Sequence, residues 1–274
     1  MQSFHPPRRH LMGPGPSDVP ERILQAMAQP TIGHLDPAFV GMMDEIKQML
    51  RTAFCTQNPL TFAISAPGSA GMEACFANLV EPGDTVIVCV NGVFGGRMVE
   101  NVQRMDGKVV LVEDTWGTPV DPQKVRTAFQ QNPEAKLLAF VHAETSTGVR
   151  SDAKTLCAIA HEFGALTLVD AVTSLGGIEL RVDDWGVDAV YSGSQKCLSC
   201  PPGLSPVSFS EAASKRILSR KTKVRSWFLD LSLVMAYWQG DGARTYHHTA
   251  PVNAMYGLHE SLLMLHQEGL EAAW

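Results

Sequence analysis

Short apolar, β-rich runs recur along this chain with helical stretches between them, and that alternation limits the fold more than any other feature. The runs cover 60–64, 85–90, 109–112, 137–141, 164–170, 190–191 and 204–209. Helical spacing or capping signals fill 72–80, 119–131 and 151–163. Strands that alternate with helices pack as a mostly parallel sheet with helices on both faces, a three-layer α/β fold. No linker, low-complexity stretch or internal repeat interrupts the pattern, so we expect one main domain over 31–250. Residues 1–30 should form an arm and a first helix, and 251–274 the start of a connecting helix.

The helix ends are legible in places. Gly13, Pro14, Gly15 and Pro16 make an opening loop, after which Ser17 or Asp18 can cap a helix that carries Pro20 in its first turn and runs to about Gln29. Asp36-Pro37 repeats that signal. Phe39, Val40, Met43, Ile46, Leu50 and Phe54 follow at helical spacing, so this face is core or subunit interface and its methionines are packing. Residues 227–238 are apolar and helical. In 253–274, Met255, Leu258, Leu262, Leu265 and Leu270 share one side, with no clear C-cap before Trp274.

A net charge of −6 argues against nucleic acid as a main partner. No apolar run reaches the roughly 18 residues of a membrane helix. Pro6, Pro7, Arg8 and Arg9 are not followed by an apolar h-region, so we expect no secretory signal. Cysteines at 55, 75, 89, 157, 197 and 200 are too scattered for a disulfide framework, which points to the reducing cytoplasm. Cys197-x-x-Cys200 has no second cysteine pair to complete a zinc site and is followed by Pro201-Pro202 where a redox motif wants a helix. We take it as loop packing.

Three places carry candidate chemistry. In Ser192-Gly193-Ser194-Gln195-Lys196, a lysine follows a short strand on a tight loop with few charged neighbours. Such a lysine can lose solvation and drop its pKa, as Schiff-base chemistry needs; a solvated surface lysine is the common alternative. Upstream, the 164–170 run ends in Asp170, at the carboxyl end of a strand where α/β folds bind ligands, or else as a turn aspartate. After the 60–64 run, Ser65-Ala-Pro-Gly-Ser-Ala-Gly71 makes a strand–turn–helix junction, a ready anion site or only a tight turn. It lacks both the Gly-Lys-Ser/Thr of a P-loop and a GxGxxG, which argues against a nucleotide-dependent oxidoreductase.

Other residues have milder readings. Phe94 follows a strand end and could stack on a flat ring or fill the core. His142 and Glu144, on a strand-end loop, have the form of an acid–base pair. Basic residues cluster from Lys215 to Arg225, by default a solvated face. Adjacent His247 and His248 lack the acidic or cysteine neighbours of a metal site, and we assign no metal.

Ser192-Gly-Ser-Gln-Lys196 with Pro201-Pro-Gly203, together with Asp170, resembles the class V aminotransferases, which are pyridoxal-phosphate (PLP) enzymes of fold type I. Leu11-Met-Gly-Pro-Gly-Pro-Ser17, Glu81-Pro-Gly-Asp84, His142-Ala-Glu-Thr-Ser-Thr-Gly148 and Tyr246-His-His-Thr-Ala-Pro-Val252 are similar to the alanine–glyoxylate (serine–pyruvate) members. The likeness covers nearly the whole chain in order. It implies a PLP-binding large domain over 31–250, with Lys196 and Asp170 as the catalytic pair. Lys196 would carry the cofactor and move the substrate's α-proton, while Asp170 would keep the ring nitrogen protonated. Phe94 and Val172 would sandwich the ring, and Thr145 would bond its phenolic oxygen. Gly68, Ser69, Ala70 and Gln195 would bind the phosphate; Ala66 and Pro67 depart from the Ser-Gly-Ser-Gly often found in this turn. Tyr246 and Thr249 would reach the partner's phosphate in a homodimer with shared sites. The implied reaction moves an amino group from alanine or serine, or alternatively ureidoglycine, to glyoxylate or a similar oxo acid. The family's C-terminal small domain, with its carboxylate-binding arginine, has no counterpart here, so a PLP-binding, dimerising fragment of impaired activity is the other expectation.

Overall fold

Seven apolar strands pair edge to edge, and helices wind between most of them. The computed structural model describes residues 1–238 and 245–274. In chain order its elements are α1 (Glu21–Met27), α2 (Pro37–Phe54), β1 (Leu60–Ile64), α3 (Gly68–Leu79), β2 (Thr85–Val90), α4 (Val93–Arg104), β3 (Lys108–Glu113), α5 (Pro122–Gln131), β4 (Leu137–Val141), β5 (Ala143–Glu144), β6 (Val149–Arg150), α6 (Ala153–Glu162), β7 (Leu166–Asp170), α7 (Val182–Trp185), β8 (Ala189–Tyr191), β9 (Ser205–Phe209), α8 (Glu211–Leu218), α9 (Leu231–Trp238), α10 (Val252–Glu268) and α11 (Leu270–Ala273). The sheet order is β1-β9-β8-β7-β4-β2-β3, and β5 and β6 form a separate pair. From β8 through β3 every pairing is parallel; β9 alone runs the other way, antiparallel to both β8 and β1.

Every residue of β1, β4 and β9 is buried, so both faces of the sheet are covered. That is the physical signature of the expected three-layer α/β arrangement, because only covered sheets carry continuous apolar strands. Edge strand β3 instead exposes Lys108, Leu111 and Glu113. Helix α2 forms as its spacing predicts. Asp36 accepts from Ala38 N at 2.8 Å, Pro37 occupies the first turn, and Phe39, Met43, Ile46, Leu50 and Phe54 are fully buried.

Several local expectations are corrected. Ser17 and Asp18 cap nothing: α1 starts after Pro20 without a side-chain cap, and Ser17 is bonded to the Lys196 loop instead. Helix α3 begins at Gly68, so the small-residue turn is partly its first turn. The 253–274 helix is broken at Gly269, where φ is 89°, and restarts as α11. A helix, α4, runs through Gly95-Gly96. Its glycine is needed because a Cβ on Gly95 would lie 2.6 Å from the Cys89 carbonyl oxygen of β2. The basic segment is no free solvated face. Arg220 donates to the carbonyls of Asn78 (3.0 Å) and Val80 (2.8 Å) at the end of α3, Arg216 pairs with Asp84, and Arg225 with Asp106. Carbonyls at a helix C-terminus have no intrahelical donor, so guanidinium groups cap them.

Candidate active site

Because β8, β7 and β4 are parallel neighbours, their carboxyl ends bring three distant loops to one edge of the sheet, where open α/β sheets bind ligands. Asp170 ends β7 and is 2% exposed. Its register partner on β8 is Tyr191, whose hydroxyl donates to Asp170 Oδ2 at 2.6 Å, and Val172 N donates to Oδ1 at 2.8 Å. Burial pushes the Asp170 pKa up to about 6 against the pull of those two bonds; Glu144 adds to the rise and Lys196 opposes it. No cationic group is bonded to this carboxylate among the described residues.

Lys196 stands on the turn between β8 and β9. Its Nζ donates to the Pro14 carbonyl at 2.8 Å. Partial burial lowers its pKa, while Cys197 and Asp170 pull the other way. The amine opens on a cleft of about 460 Å³ lined by Gly13, Pro14, Ser17, Thr145, Thr173 and Lys196 among others. Larger hollows lie along α2 and between α2 and α10, but neither is lined by a residue from a strand end.

Gly68, Ser69 and Ala70 form the first turn of α3. The Ala70 and Gly71 N–H groups bond the Pro67 carbonyl at 2.8 and 3.3 Å; those of Gly68 and Ser69 lie ahead of the first intrahelical acceptor and point out of the helix end. A Cβ on Gly68 would sit 3.3 Å from Ser192 O and 3.4 Å from Val172 Cγ2. One on Gly193 would sit 2.8 Å from Gln195 Oε1 and 3.5 Å from Val172 Cγ1. So the α3 terminus, Val172 and Gln195 meet beside Asp170, and Gln195 Oε1 is buried there without a partner among the described residues. Thr145 shares the lysine cleft, with Oγ1 donating to Thr173 Oγ1 at 3.3 Å.

Phe94 lies at the start of α4, with the Arg97 guanidinium 4.6 Å from its ring centroid. The acid–base reading of His142 and Glu144 does not hold. Glu144 accepts from the N–H groups of Phe94 (3.2 Å) and Gly95 (3.4 Å), and from Ser146 Oγ at 2.7 Å, so it caps α4. His142 is 1% exposed, lies edge-on to Trp185, and is kept neutral by burial, its pKa lowered to about 4. Glu144→Ala should therefore cost about 1–2 kcal/mol of stability, read as a shift in urea midpoint, as for loss of a helix cap; a wild-type midpoint would refute the cap.

Tyr246 and Thr249 are not brought to the Lys196 cleft of their own chain. Tyr246 is 58% exposed, 5.2 Å from the His34 ring, with its hydroxyl 3.4 Å from Thr249 Oγ1. His247 and His248 bond each other through Nδ1 at 2.8 Å, and His248 Nε2 meets Ser65 Oγ at 2.7 Å, just ahead of the α3 turn. Cys197 and Cys200 are free thiols, the first exposed and the second buried. The sequence reading assigned no role at this cleft to Tyr191, Pro14, Ser17 or Thr173, although Pro14 and Ser17 lie in the Leu11–Ser17 motif and Tyr191 ends the strand that leads to Lys196.

Comparison with known proteins agrees with this geometry. The class-V aminotransferase family model matches residues 10–274. Alanine–glyoxylate aminotransferase of Oryctolagus cuniculus is 42% identical over 98% of this chain and 68% of its own. (S)-Ureidoglycine–glyoxylate transaminase of Bacillus subtilis is 36% identical over 97% of this chain and 67% of its own. The crystal structure of alanine–glyoxylate aminotransferase from Nostoc sp. superposes with a TM-score of 0.97 at 46% identity, covering all of this chain and 72% of that one. The chain thus spans 65–68% of the length of the curated relatives it matches. Sheet order, strand-end residues and a match running from residue 10 to Trp274 all agree, and this chain belongs to the class V aminotransferases.

Proposed function

We propose that this chain forms the cofactor-binding part of a PLP-dependent aminotransferase that moves an amino group from alanine or serine to glyoxylate or a similar 2-oxo acid. One observation carries the reading. A buried carboxylate with no bonded cation among the described residues, Asp170, ends the strand next to the one leading to Lys196, whose amine is partly desolvated. A carboxylate left buried with only neutral donors is costly, and a cationic ring nitrogen is the partner that relieves it. The free N–H groups at the α3 terminus, and the Gln195 amide when its NH2 rather than its orphaned Oε1 is turned inward, supply the donors a phosphate needs. The residues present therefore fit PLP.

When bound, PLP supplies an electron sink for the carbanion left by loss of the substrate's α-proton. The chain's residues have separate tasks. Asp170 Oδ holds a proton on the ring nitrogen by a charge-assisted bond worth roughly 1.5–3 kcal/mol. Tyr191 and Val172 fix that carboxylate. Gly68, Ser69, Ala70 and Gln195 would hold the phosphate, Thr145 the phenolic oxygen, and Phe94 and Val172 the ring. Lys196 Nζ would be the attachment point for the cofactor and, when free, the group that takes and returns the substrate's α-proton. We further propose residues 31–250 as the large domain and a homodimer in which Tyr246 and Thr249 complete the partner's site.

Purified protein mixed with PLP should show a visible absorbance band, which should fade on adding alanine, serine or ureidoglycine as each is consumed. The donor that bleaches it fastest names the substrate; a band that no amino donor bleaches would leave binding without transfer. PLP affinity should also rise with pH across the window from about 4 to about 6, because the ionised Asp170 that the cofactor requires is scarce below its raised pKa. Titration of PLP at pH 5 and pH 7 checks this, and Asp170→Asn should flatten the difference.

A further inference from the structure

We propose that the N-terminal arm is a positioning element for the active-site lysine: the Pro14 carbonyl holds and aims the Lys196 amine whenever that amine is not joined to the cofactor. The proposal rests on the cofactor reading above. Three separate observations support it. Lys196 Nζ donates to Pro14 O at 2.8 Å. The lysine also lies flat against the next residue: a Cβ on Gly15, where φ is +133°, would fall 2.5 Å from Nζ, 2.6 Å from Cδ and 2.9 Å from Cε. Finally, Ser17 ties the arm to the dipeptide that bears the amine. Ser17 N donates to Gln195 O at 2.9 Å, and Ser17 Oγ to Lys196 O at 2.9 Å. The arm thus grips the lysine's backbone at one end and its nitrogen at the other.

A free lysine side chain has many rotamers, and fixing it costs up to about 2 kcal/mol of entropy. A neutral amine has two N–H groups and one lone pair. Giving one N–H to a fixed carbonyl restricts the lone pair that must take the substrate's proton, so part of the orientation cost is met before reaction. Ahead of Gly13 the arm is exposed, and its bond from Leu11 N to Asp18 is long at 3.3 Å. The contacts with residues 195–196 are therefore what set its place at the cleft.

The test uses the protein without PLP. Trace acetylation with acetic anhydride, read by mass spectrometry, gives the labelling rate of Lys196 relative to exposed Lys154. In Gly15→Ala that ratio should rise about tenfold, as for loss of one well-made hydrogen bond. In Ser17→Ala it should rise severalfold, and Ser17→Thr, which keeps the hydroxyl, should restore the wild-type ratio. Thermal melting should be unchanged, because the arm lies outside the core; if Gly15→Ala fails to fold, the Ser17 pair decides. Ratios that stay at wild type in the folded variants overturn the proposal. The visible band with PLP is recorded in parallel. Its absence from the wild type would sink the cofactor reading while the labelling result stands on its own.

Discussion

Lys196→Ala should remove the visible PLP band and lower transfer by at least about 10⁴-fold, because in the proposed function one nitrogen both attaches the cofactor and moves the proton. The substitution should leave the fold intact. Lys196 lies on a turn, and its side-chain hydrogen bond goes to the exposed arm. Added methylamine should restore a small part of the rate by supplying a diffusible base. The rate is read as keto-acid product formed in a single turnover with a saturating amino donor, and the band is recorded separately. A variant that keeps the band at full height would show that a different amine carries the cofactor.

The second large effect separates stability from activity. At neutral pH the folded chain without cofactor holds Asp170 ionised though its pKa is raised from 3.8 to about 6. A raised carboxylate pKa means the folded state binds the proton more tightly than the unfolded chain. The stability linked to that proton is present below about pH 4 and is lost as pH rises through about 6. By pH 7 the loss is about 3 kcal/mol. Asp170→Asn keeps Oδ1 as the acceptor for the Val172 N–H, lets its NH2 donate to the Tyr191 hydroxyl oxygen, and removes the charge. The cofactor-free variant should therefore be more stable than wild type by up to about 3 kcal/mol at pH 7, with the gain vanishing near pH 4. Its transfer rate should fall about 100-fold, because a neutral amide cannot keep the ring nitrogen protonated. Urea unfolding at pH 4 and pH 7 reads the first effect, and half-reaction kinetics the second. A variant that is less stable at both pH values would show that the carboxylate is already satisfied without the cofactor.

Where each expectation succeeded follows from how local its cause is. The placement of Asp170 and Lys196 was legible because the first closes a short apolar run and the second lies on the turn that follows one, and strand ends at one edge of a parallel sheet are where such folds bind ligands. Helix α2 was legible because Asp36-Pro37 and the apolar spacing lie in one segment. Helix α4 was not, since two adjacent glycines disfavour a helix in isolation. It forms because Glu144, some fifty positions on, caps its first N–H groups, and because Gly95 lets it lie close against β2. The same contact turned Glu144 from a candidate acid into a cap.

The amino-acid sequence alone determined the alternation that makes a parallel sheet, the strand that ends in Asp170, and the turn that carries Lys196. Those depend on propensity, periodicity and turn chemistry within a few residues. Only the tertiary structure decided what faces them. Tyr191 meets Asp170 through the register of two strands, and Ser17 bonds Lys196 from 179 positions away. Such pairings are set by how the sheet closes and where the arm lies across it, and nothing in the order of residues along either segment specifies the other.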